Sequence, residues 1–178
     1  RVVHGVTRLT RPVRITPETR AEIARCVPLA PLHNPHNLAA IATLADLVPA
    51  LPQCASFDTA FHANNPDVAS RYAVPDTVET AGIRRYGFHG QSYSAMVARW
   101  SDVTGTPLPD RRLALHLGNG ASICAIRAGQ SIATTMGYSP LEGLTMGTRC
   151  GGIDANAVLK MAELHGIARA RTLLNKES

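Results

Sequence analysis

The chain has 178 residues, of which 45% are hydrophobic and 17% are charged, a composition typical of a globular protein rather than a disordered one. Its net charge of +5 comes from arginines spread along the chain, whereas a nucleic-acid-binding surface needs clustered basic residues and more aromatics than three Phe, four Tyr and one Trp. We therefore expect small anionic ligands rather than nucleic acid as partners, and the lack of any run of about 18 apolar residues argues against a membrane partner.

The start of the chain indicates part of a longer protein. Arg1 lies without a preceding Met in a β-like run, and the opening RVVHGVTRLT is neither a secretory signal nor a convincing transit peptide. The cysteines are far apart and form no CxxC pair, so we expect reduced thiols and a cytoplasmic location, not a zinc site or a disulfide framework.

Two helices are predicted in the first third of the chain. In Thr16-Pro17-Glu18, Thr is suited to cap a helix, Pro to its first position and Glu to its positive end, so we expect a helix to about Val27. A second helix is expected with Asn34 as its cap and an end near Leu47, because apolar residues recur there at helical spacing.

A short strand is predicted at residues 53–57, and Asp58 follows it directly. A carboxylate just past a strand end is where open α/β sheets place ligand chemistry, although Asp58 could equally cap the next turn. Beyond the turn-rich residues 63–80, we expect a strand at 83–86 and a helix at 92–100.

A three-stranded antiparallel meander is predicted over residues 113–135, with strands at 113–117, 121–126 and 131–135. Its first turn is Gly118-Asn119-Gly120. Because glycine has no Cβ to hold an anion away, such a turn can present backbone N–H groups to a phosphate. The alternative is a tight hairpin without a ligand.

Residues 136–152 are rich in glycine and lack periodic apolar positions. Long ordered loops of this kind are more often functional than structural, and Arg149 within it can reach an anion. We expect Asp154 to cap a helix that ends at His165-Gly166, with a further helical start over 167–178.

These residue types favour phosphoryl transfer over the other chemistries considered. The sequence has no GxSxG nucleophile elbow and no GxxxxGK[ST] loop, and its histidines lack the HExxH spacing of a zinc site. Arg and His donors suit a transition state whose negative charge spreads over the equatorial phosphoryl oxygens, and no covalent nucleophile is needed.

Several motifs are spread over essentially the whole chain. They are Arg1-Val2-Val3-His4-Gly5, Leu29-Ala30-Pro31-Leu32-His33-Asn34-Pro35, Phe57-Asp58-Thr59-Ala60-Phe61-His62, Arg85-Tyr86-Gly87-Phe88-His89-Gly90, His116-Leu117-Gly118-Asn119-Gly120, and two blocks at 136–144 and 146–151. In order and approximate spacing, these motifs resemble the acetate kinase family.

This resemblance implies the α/β, ribonuclease-H-like two-domain fold of the acetate and sugar kinase, heat-shock chaperone and actin superfamily, only partly covered by this chain. Residues 1–59 would end the first domain, and residues 60–178 would begin the second. It also implies reversible transfer of the ATP γ-phosphoryl group to acetate, giving acetyl phosphate and ADP, with Mg²⁺ as cofactor and a homodimer as the complete enzyme.

Two alternatives stay open. Propionate and butyrate kinases share the architecture, and a non-catalytic ligand-sensing domain of the same superfamily would keep the glycine turn. We expect these 178 residues alone to have little or no activity, because the resemblance implies phosphate and adenosine contacts outside them.

The matching motifs also suggest residue roles. Arg1 and Arg149 would hold the carboxylate and the transferring phosphoryl group, and His89 would donate to that group. Asp58 would help to place Mg²⁺ and the acetate, with water as the possible link to the metal and no direct metal ligand in this chain, and His33 would support the site. The acetate methyl would contact Val3, Leu32, Phe88 and Pro140, and the nucleotide would contact His116, Gly118, Asn119 and Gly120.

Three of the matching residues have structural interpretations as well. His33 could satisfy a buried carbonyl, His116 could be structural at a strand end, and Glu142 could stabilise its loop. Departures from the family pattern, which leave the acyl preference open, are Val6 in place of Gly, Gln91-Ser92-Tyr93 in place of Thr-Ser-His, and Asn64-Asn65-Pro66.

Overall fold

The structure is a computed structural model that describes residues 1–31 and 33–178. Two small antiparallel sheets and six α-helices make up this part of the chain, together with short 3₁₀ turns at Val27–Leu29 and Ala60–His62. In chain order the elements are β1 (Val13–Arg14), α1 (Pro17–Arg25), α2 (Asn34–Leu47), β2 (Cys54–Ala55), α3 (Asp67–Ser70), α4 (Gly90–Thr104), β3 (Arg111–Leu117), β4 (Ala121–Arg127), β5 (Gln130–Thr134), α5 (Ala155–His165) and α6 (Ile167–Lys176).

The predicted meander is confirmed as the antiparallel sheet β3-β4-β5. Leu117 pairs with Ala121, so the first hairpin closes directly around the glycine turn. One face of β4 is buried, and its Cys124 and Ile126 pack against Tyr93 of α4. This packing places the start of α4 beside the hairpin.

Helices α1 and α5 begin at the capping residues that the sequence predicted. The Thr16 side chain accepts a hydrogen bond from the Thr19 N–H at 3.3 Å, and Pro17 begins α1. The Asp154 carboxylate accepts from Asn156 N–H at 2.8 Å and from Ala157 N–H at 3.2 Å. These bonds satisfy N–H groups that a helix leaves without partners in its first turn.

The prediction that Asn34 caps α2 is wrong. Asn34 is the first helical residue, and its buried carboxamide bonds the backbone of His4, accepting from N–H at 3.1 Å and donating to the carbonyl at 3.2 Å. Because the Asn34 carboxamide is hydrogen-bonded to His4, it is not available to cap α2.

The prediction of a strand at 83–86 is also wrong. The only strand-like pairing there is a bridge between Arg71 and Arg84 in the described residues. The N–H groups of Tyr86 and Gly87 both donate to the Gly137 carbonyl and so do not form a ladder with a neighbouring strand. The strand predicted at 53–57 is shortened to β2, which pairs with β1.

A buried apolar cluster connects distant parts of the chain. It joins Val3 near the start, Ala30, Phe88 before α4, and Met136 and Met146 from the long loop. The cluster thus brings the loop to the start of α4. Within the described ranges, no helix has both the length and the apolar character needed to cross a membrane.

Candidate active site

The glycine turn between β3 and β4 lies against two of the predicted site residues. A Cβ added to Gly120 would be 3.2 Å from His89 Nε2 and 3.3 Å from Arg149 Nη1. The Gly118 N–H donates to the Gly120 carbonyl at 3.0 Å, whereas no acceptor within residues 1–31 and 33–178 serves the N–H of Asn119 or Gly120. The turn therefore offers backbone donors beside a guanidinium and an imidazole.

His89 precedes α4 in a left-handed backbone conformation, with φ 61° and ψ 16°. Its Nδ1 lies 2.9 Å from Ser122 Oγ on β4, and its ring stacks on His116, with centroids 3.9 Å apart. Burial lowers the pKa of His89 to about 4, and the positive charges of His116, Arg1 and Arg149 act in the same direction. His89 is therefore neutral near pH 7.

Asp58 is buried, and its Oδ2 accepts from Arg1 Nη2 at 2.9 Å. Its backbone carbonyl accepts from the Gly90 N–H at 2.9 Å, and a Cβ on Gly90 would collide with that oxygen. Burial raises the pKa of the Asp58 carboxyl, while the charges of Arg1 and His116 oppose the rise. Glycine at position 90 thus lets α4 begin directly beside the carboxylate.

Arg149 is held on the long loop by its own segment. Its Nη1 donates to the Pro140 carbonyl at 2.8 Å and contacts Met146 Sδ at 3.6 Å. The loop is anchored in turn by Glu142, which accepts from Arg85 Nη2 at 2.6 Å and from the Tyr72 hydroxyl. This anchor agrees with the structural interpretation of Glu142.

Of the predicted acetate contacts, Val3 and Phe88 lie together in the buried apolar cluster. Pro140 lies half-buried on the long loop, where its carbonyl holds Arg149. Leu32 lies outside the described residues. Met136 and Met146 share the cluster and were missed from the sequence, because a Met in a loop gives no signal of its partners.

The two other predicted histidines have different environments. His116 Nδ1 lies 3.0 Å from Ser92 Oγ, and this contact turns its ring against His89. His33 is half-buried at the start of α2, where burial lowers its pKa and the charges of Arg149 and Arg1 add to the effect. Both rings thus border the positively charged site.

Ser122 and Tyr93 are site-supporting residues that sequence reasoning missed. The Tyr93 hydroxyl lies within hydrogen-bond distance of two oxygens of Ser122, Oγ at 2.5 Å and the backbone carbonyl at 2.9 Å. A signal was available for Ser122, which comes two residues after the glycine turn and faces the buried side of β4.

The arrangement is suited to binding an anion beside an apolar surface. Arg1 and Arg149 supply positive charge, His89 supplies a neutral imidazole, and the glycine turn supplies backbone N–H groups. Over the ranges that the structure describes, no group of three or more His, Cys, Asp or Glu side chains could hold a metal. Such a site can bind and polarise a phosphoryl group.

Comparison with known sequences identifies a family and several relatives. The profile described as the Acetokinase family matches residues 1–178. The acetate kinase of Deinococcus radiodurans is 47% identical over 100% of this chain and 46% of its own length. That of Rhodopseudomonas palustris is 51% identical over 92% of this chain and 41% of its own length. The chain thus spans less than half the length of these curated relatives.

Solved structures show the same similarity. The structure of Porphyromonas gingivalis acetate kinase matches with a TM-score of 0.89 and 41% sequence identity. The match covers 99% of this chain and 45% of the acetate kinase chain. The structure of a propionate kinase from Francisella tularensis matches with a TM-score of 0.92 and 38% sequence identity. The match covers 99% of this chain and 47% of the propionate kinase chain. These structures confirm the predicted fold class and its partial coverage by this chain.

Proposed function

Because this chain belongs to the acetokinase family, we propose that the natural protein carrying it transfers the γ-phosphoryl group of ATP to acetate, giving acetyl phosphate and ADP, and catalyses the reverse reaction. The observation that carries the proposal is the position of Gly120, where an added Cβ would lie 3.2 Å from His89 Nε2 and 3.3 Å from Arg149 Nη1. The glycine turn, an imidazole and a guanidinium thus lie next to one another.

The proposed reaction needs no covalent intermediate with the protein. An oxygen of the substrate carboxylate attacks the γ-phosphorus, the bond to the bridging β–γ oxygen breaks, and ADP leaves with that electron pair. Arg149 and His89 donate to the equatorial phosphoryl oxygens, which carry the developing charge. Arg1 positions the acyl carboxylate, and His33 adds a further polar group at the edge of the site.

The glycine turn is proposed to contact the nucleotide. Gly118, Asn119 and Gly120 would face the phosphates. The N–H groups of Asn119 and Gly120, which have no acceptor in the part of the chain that the structure describes, would be the donors. His116, stacked on His89, borders the same phosphates.

Mg²⁺ is proposed as the metal cofactor, bound mainly to the nucleotide. Asp58 is the carboxylate that could hold it through a water molecule, and one carboxylate fits a cation that binds through few protein ligands and substrate phosphates. When bound, Mg²⁺ would neutralise phosphate charge. The raised pKa of Asp58 reflects burial that a nearby cation would counteract.

Acetate is the proposed acyl substrate, with propionate or butyrate as the alternative. The apolar cluster supplies Val3 and Phe88 as candidate contacts for the acyl methyl. Pro140 is proposed as a further contact, and Leu32, proposed from the sequence alone, lies outside the described residues. Similarity to a propionate kinase as well as to acetate kinases supports testing all three acids.

We also propose a domain boundary near Thr59, a cytoplasmic location and a homodimer. The boundary is supported by one buried cluster drawn from Val2 to Phe57 and by separate sheets before and after it. Free cysteines and the use of ATP support the location. The homodimer rests on the family resemblance.

The test is an ATP-dependent assay on the natural protein, with acetate, Mg²⁺ and hydroxylamine to trap acetyl phosphate as its hydroxamate. It is repeated with propionate and butyrate. We expect product with wild type, and at least about a 100-fold loss for Arg149→Ala and His89→Ala, which remove transition-state donors. Arg171→Ala, at an exposed arginine of α6, is the matched control and should retain full activity.

The same assay decides between the enzyme and the sensing domain. A folded protein that binds ATP but forms no hydroxamate with any of the three acids would favour the non-catalytic alternative. Product that survives both site substitutions would place the chemistry elsewhere.

A further inference from the structure

The two ring nitrogens of His89 face different surroundings. Nε2 lies toward the glycine turn, 3.2 Å from the place of a Cβ on Gly120, whereas Nδ1 lies 2.9 Å from Ser122 Oγ. A neutral imidazole carries its proton on one nitrogen only. His89 can therefore donate to a phosphoryl group only if that proton is on Nε2.

The surroundings of His89 keep it neutral, so its tautomer matters. His116 stacks on it, the positive charges of Arg1 and Arg149 act on it, and burial lowers its pKa to about 4. His62, the other titratable group acting on it, is itself buried with a pKa lowered to about 4. An imidazolium with both N–H groups is therefore disfavoured near pH 7.

Ser122 is fully buried and connects His89 to Tyr93. Its Oγ lies 2.5 Å from the Tyr93 hydroxyl, whose single proton has that oxygen as its nearer acceptor and the Ser122 carbonyl oxygen, at 2.9 Å, as the farther one. A phenol is a stronger donor and a weaker acceptor than an alcohol, and an imidazole nitrogen is a stronger acceptor than either. The best matched order of donation therefore runs from Tyr93 to Ser122 Oγ, and from Ser122 to Nδ1.

We propose that Tyr93 and Ser122 are positioning residues that keep the proton of His89 on Nε2, where it faces the transferring phosphoryl group. This inference rests on the proposed function, in which His89 is a phosphoryl donor. The reverse order would put Nδ1–H against Ser122 Oγ and leave the Nε2 lone pair facing phosphoryl oxygens, where it would repel them. Burial raises the pKa of Tyr93, which keeps the hydroxyl protonated as a donor.

The backbone fixes this contact. His89 is held at φ 61°, a conformation uncommon for residues other than glycine, at the first turn of α4. Tyr93 follows one turn later, and its N–H donates to the His89 carbonyl at 3.2 Å. The same helical turn therefore positions the histidine and the tyrosine that acts on it through Ser122.

The test reads the tautomer directly, without turnover. The natural protein is labelled with ¹⁵N-histidine, and a long-range ¹H–¹⁵N correlation spectrum at pH 7.5 identifies which nitrogen of His89 is protonated. The His89 signals are assigned from their loss in His89→Gln. We expect Nε2–H in wild type, and a mixture with Nδ1–H in Tyr93→Phe, where Ser122 is free to accept instead of donate.

Kinetics give a second readout on the same variants. We expect kcat of Tyr93→Phe to fall about 10- to 100-fold, with KM for acetate and ATP within about twofold, since the tautomer alters the transition state more than binding. Ser122→Ala, which removes the hydroxyl next to Nδ1, should also give a tautomer mixture. Tyr86→Phe, which removes the hydroxyl of another buried tyrosine, one that donates to the Gly82 carbonyl, is the matched control. It should change neither readout.

Two results would overturn the inference. One is Nδ1–H in the wild-type spectrum, and the other is an unchanged tautomer with unchanged kcat in Tyr93→Phe. Absence of hydroxamate from wild type would instead count against the proposed function, while the spectrum would still decide the order of donation.

Discussion

Arg1 Nη2 and Asp58 Oδ2 form a salt bridge of 2.9 Å between unequally exposed side chains, at 61% for Arg1 and 4% for Asp58. Burial raises the pKa of the carboxyl despite this partner, so the ionised Asp58 gives little stability to the fold. We expect Asp58→Asn to leave the free energy of unfolding unchanged or higher, while kcat falls about 10²- to 10³-fold. Urea unfolding and the hydroxamate assay on the natural protein measure both.

Asp76→Asn is the control for this substitution. Asp76 is an exposed carboxylate beside Arg71, at 3.5 Å, and its loss should alter neither measurement. A large loss of stability in Asp58→Asn would show that the carboxylate supports the fold rather than the reaction.

Val6 has φ 54°, in the left-handed region that favours glycine over β-branched residues. We expect Val6→Gly to raise the free energy of unfolding by about 1 kcal/mol, because relief of backbone strain exceeds the added chain entropy. Val13→Gly, at a strand position in β1, should instead lower it. Thermal and urea unfolding measure the change, and destabilisation of Val6→Gly would contradict the strain.

Glu142 connects the long loop to Arg85 and Tyr72. Because the pair with Arg85 is partly exposed, we expect Glu142→Gln to cost only about 1 kcal/mol of stability. Arg149 lies on the same loop, so kcat/KM should fall about 10-fold through lost positioning. Hydrogen exchange should rise over residues 136–152. Glu163→Gln, at a surface pair with Lys160, should leave exchange there unchanged.

His62 is buried between Ser131 and the Phe88 carbonyl, and burial lowers its pKa to about 4 from an ordinary 6.5. Between these values the unfolded chain takes up a proton that the folded chain does not, so His62 reduces stability as pH falls. Between pH 6.5 and 4, we expect the free energy of unfolding of His62→Gln to fall less than that of wild type. The difference between the two proteins should be at most about 1.4 kcal/mol per pH unit.

The measurement is urea unfolding at several pH values. His165→Gln, at an exposed histidine, should follow the wild-type pH dependence. If His62→Gln does so too, His62 does not titrate differently in the folded and unfolded states.

Val3 lies in the apolar cluster with Phe88 and Met136. Val3→Ala would remove two methyl groups from the proposed acyl pocket, and we expect the ratio of kcat/KM for propionate to that for acetate to rise about 10-fold. The matched control, Val78→Ala, changes a valine that is 90% exposed. An unchanged ratio would place the acyl group away from Val3.

Features that depend on neighbouring residues were predictable from the sequence. Thr16 and Asp154 cap helices through bonds to residues two or three positions ahead, and the glycine turn closes adjacent strands. Features set by distant partners were not. Asn34 has a cap-like sequence context, yet its side chain is hydrogen-bonded to the backbone of His4. Residues 83–86 have a strand-like pattern, but in the described part of the chain they pair only through the Arg71–Arg84 bridge.

The candidate site shows the same difference between local features, which were predictable, and contacts with distant residues, which were not. Local sequence indicated Arg149 as a residue that can reach an anion and Asp58 as a carboxylate suited to ligand chemistry, whereas the role of His89 came from the family resemblance. The hydroxyls behind His89 were not predictable, because Tyr93 reaches Ser122 across 29 positions of chain. Such a contact follows from the packing of α4 on the sheet, which local patterns do not specify.

The anchor at Glu142 has a consequence for ligand affinity. Ordering a loop of this length upon binding would cost conformational entropy, and that cost would weaken the observed affinity. Here Arg85 and Tyr72 hold the loop, and Arg149 is already bonded to Pro140. The ordering occurs when the chain folds, so we expect the Arg149 guanidinium to be preorganised for an incoming anion and more of the contact energy to contribute to binding.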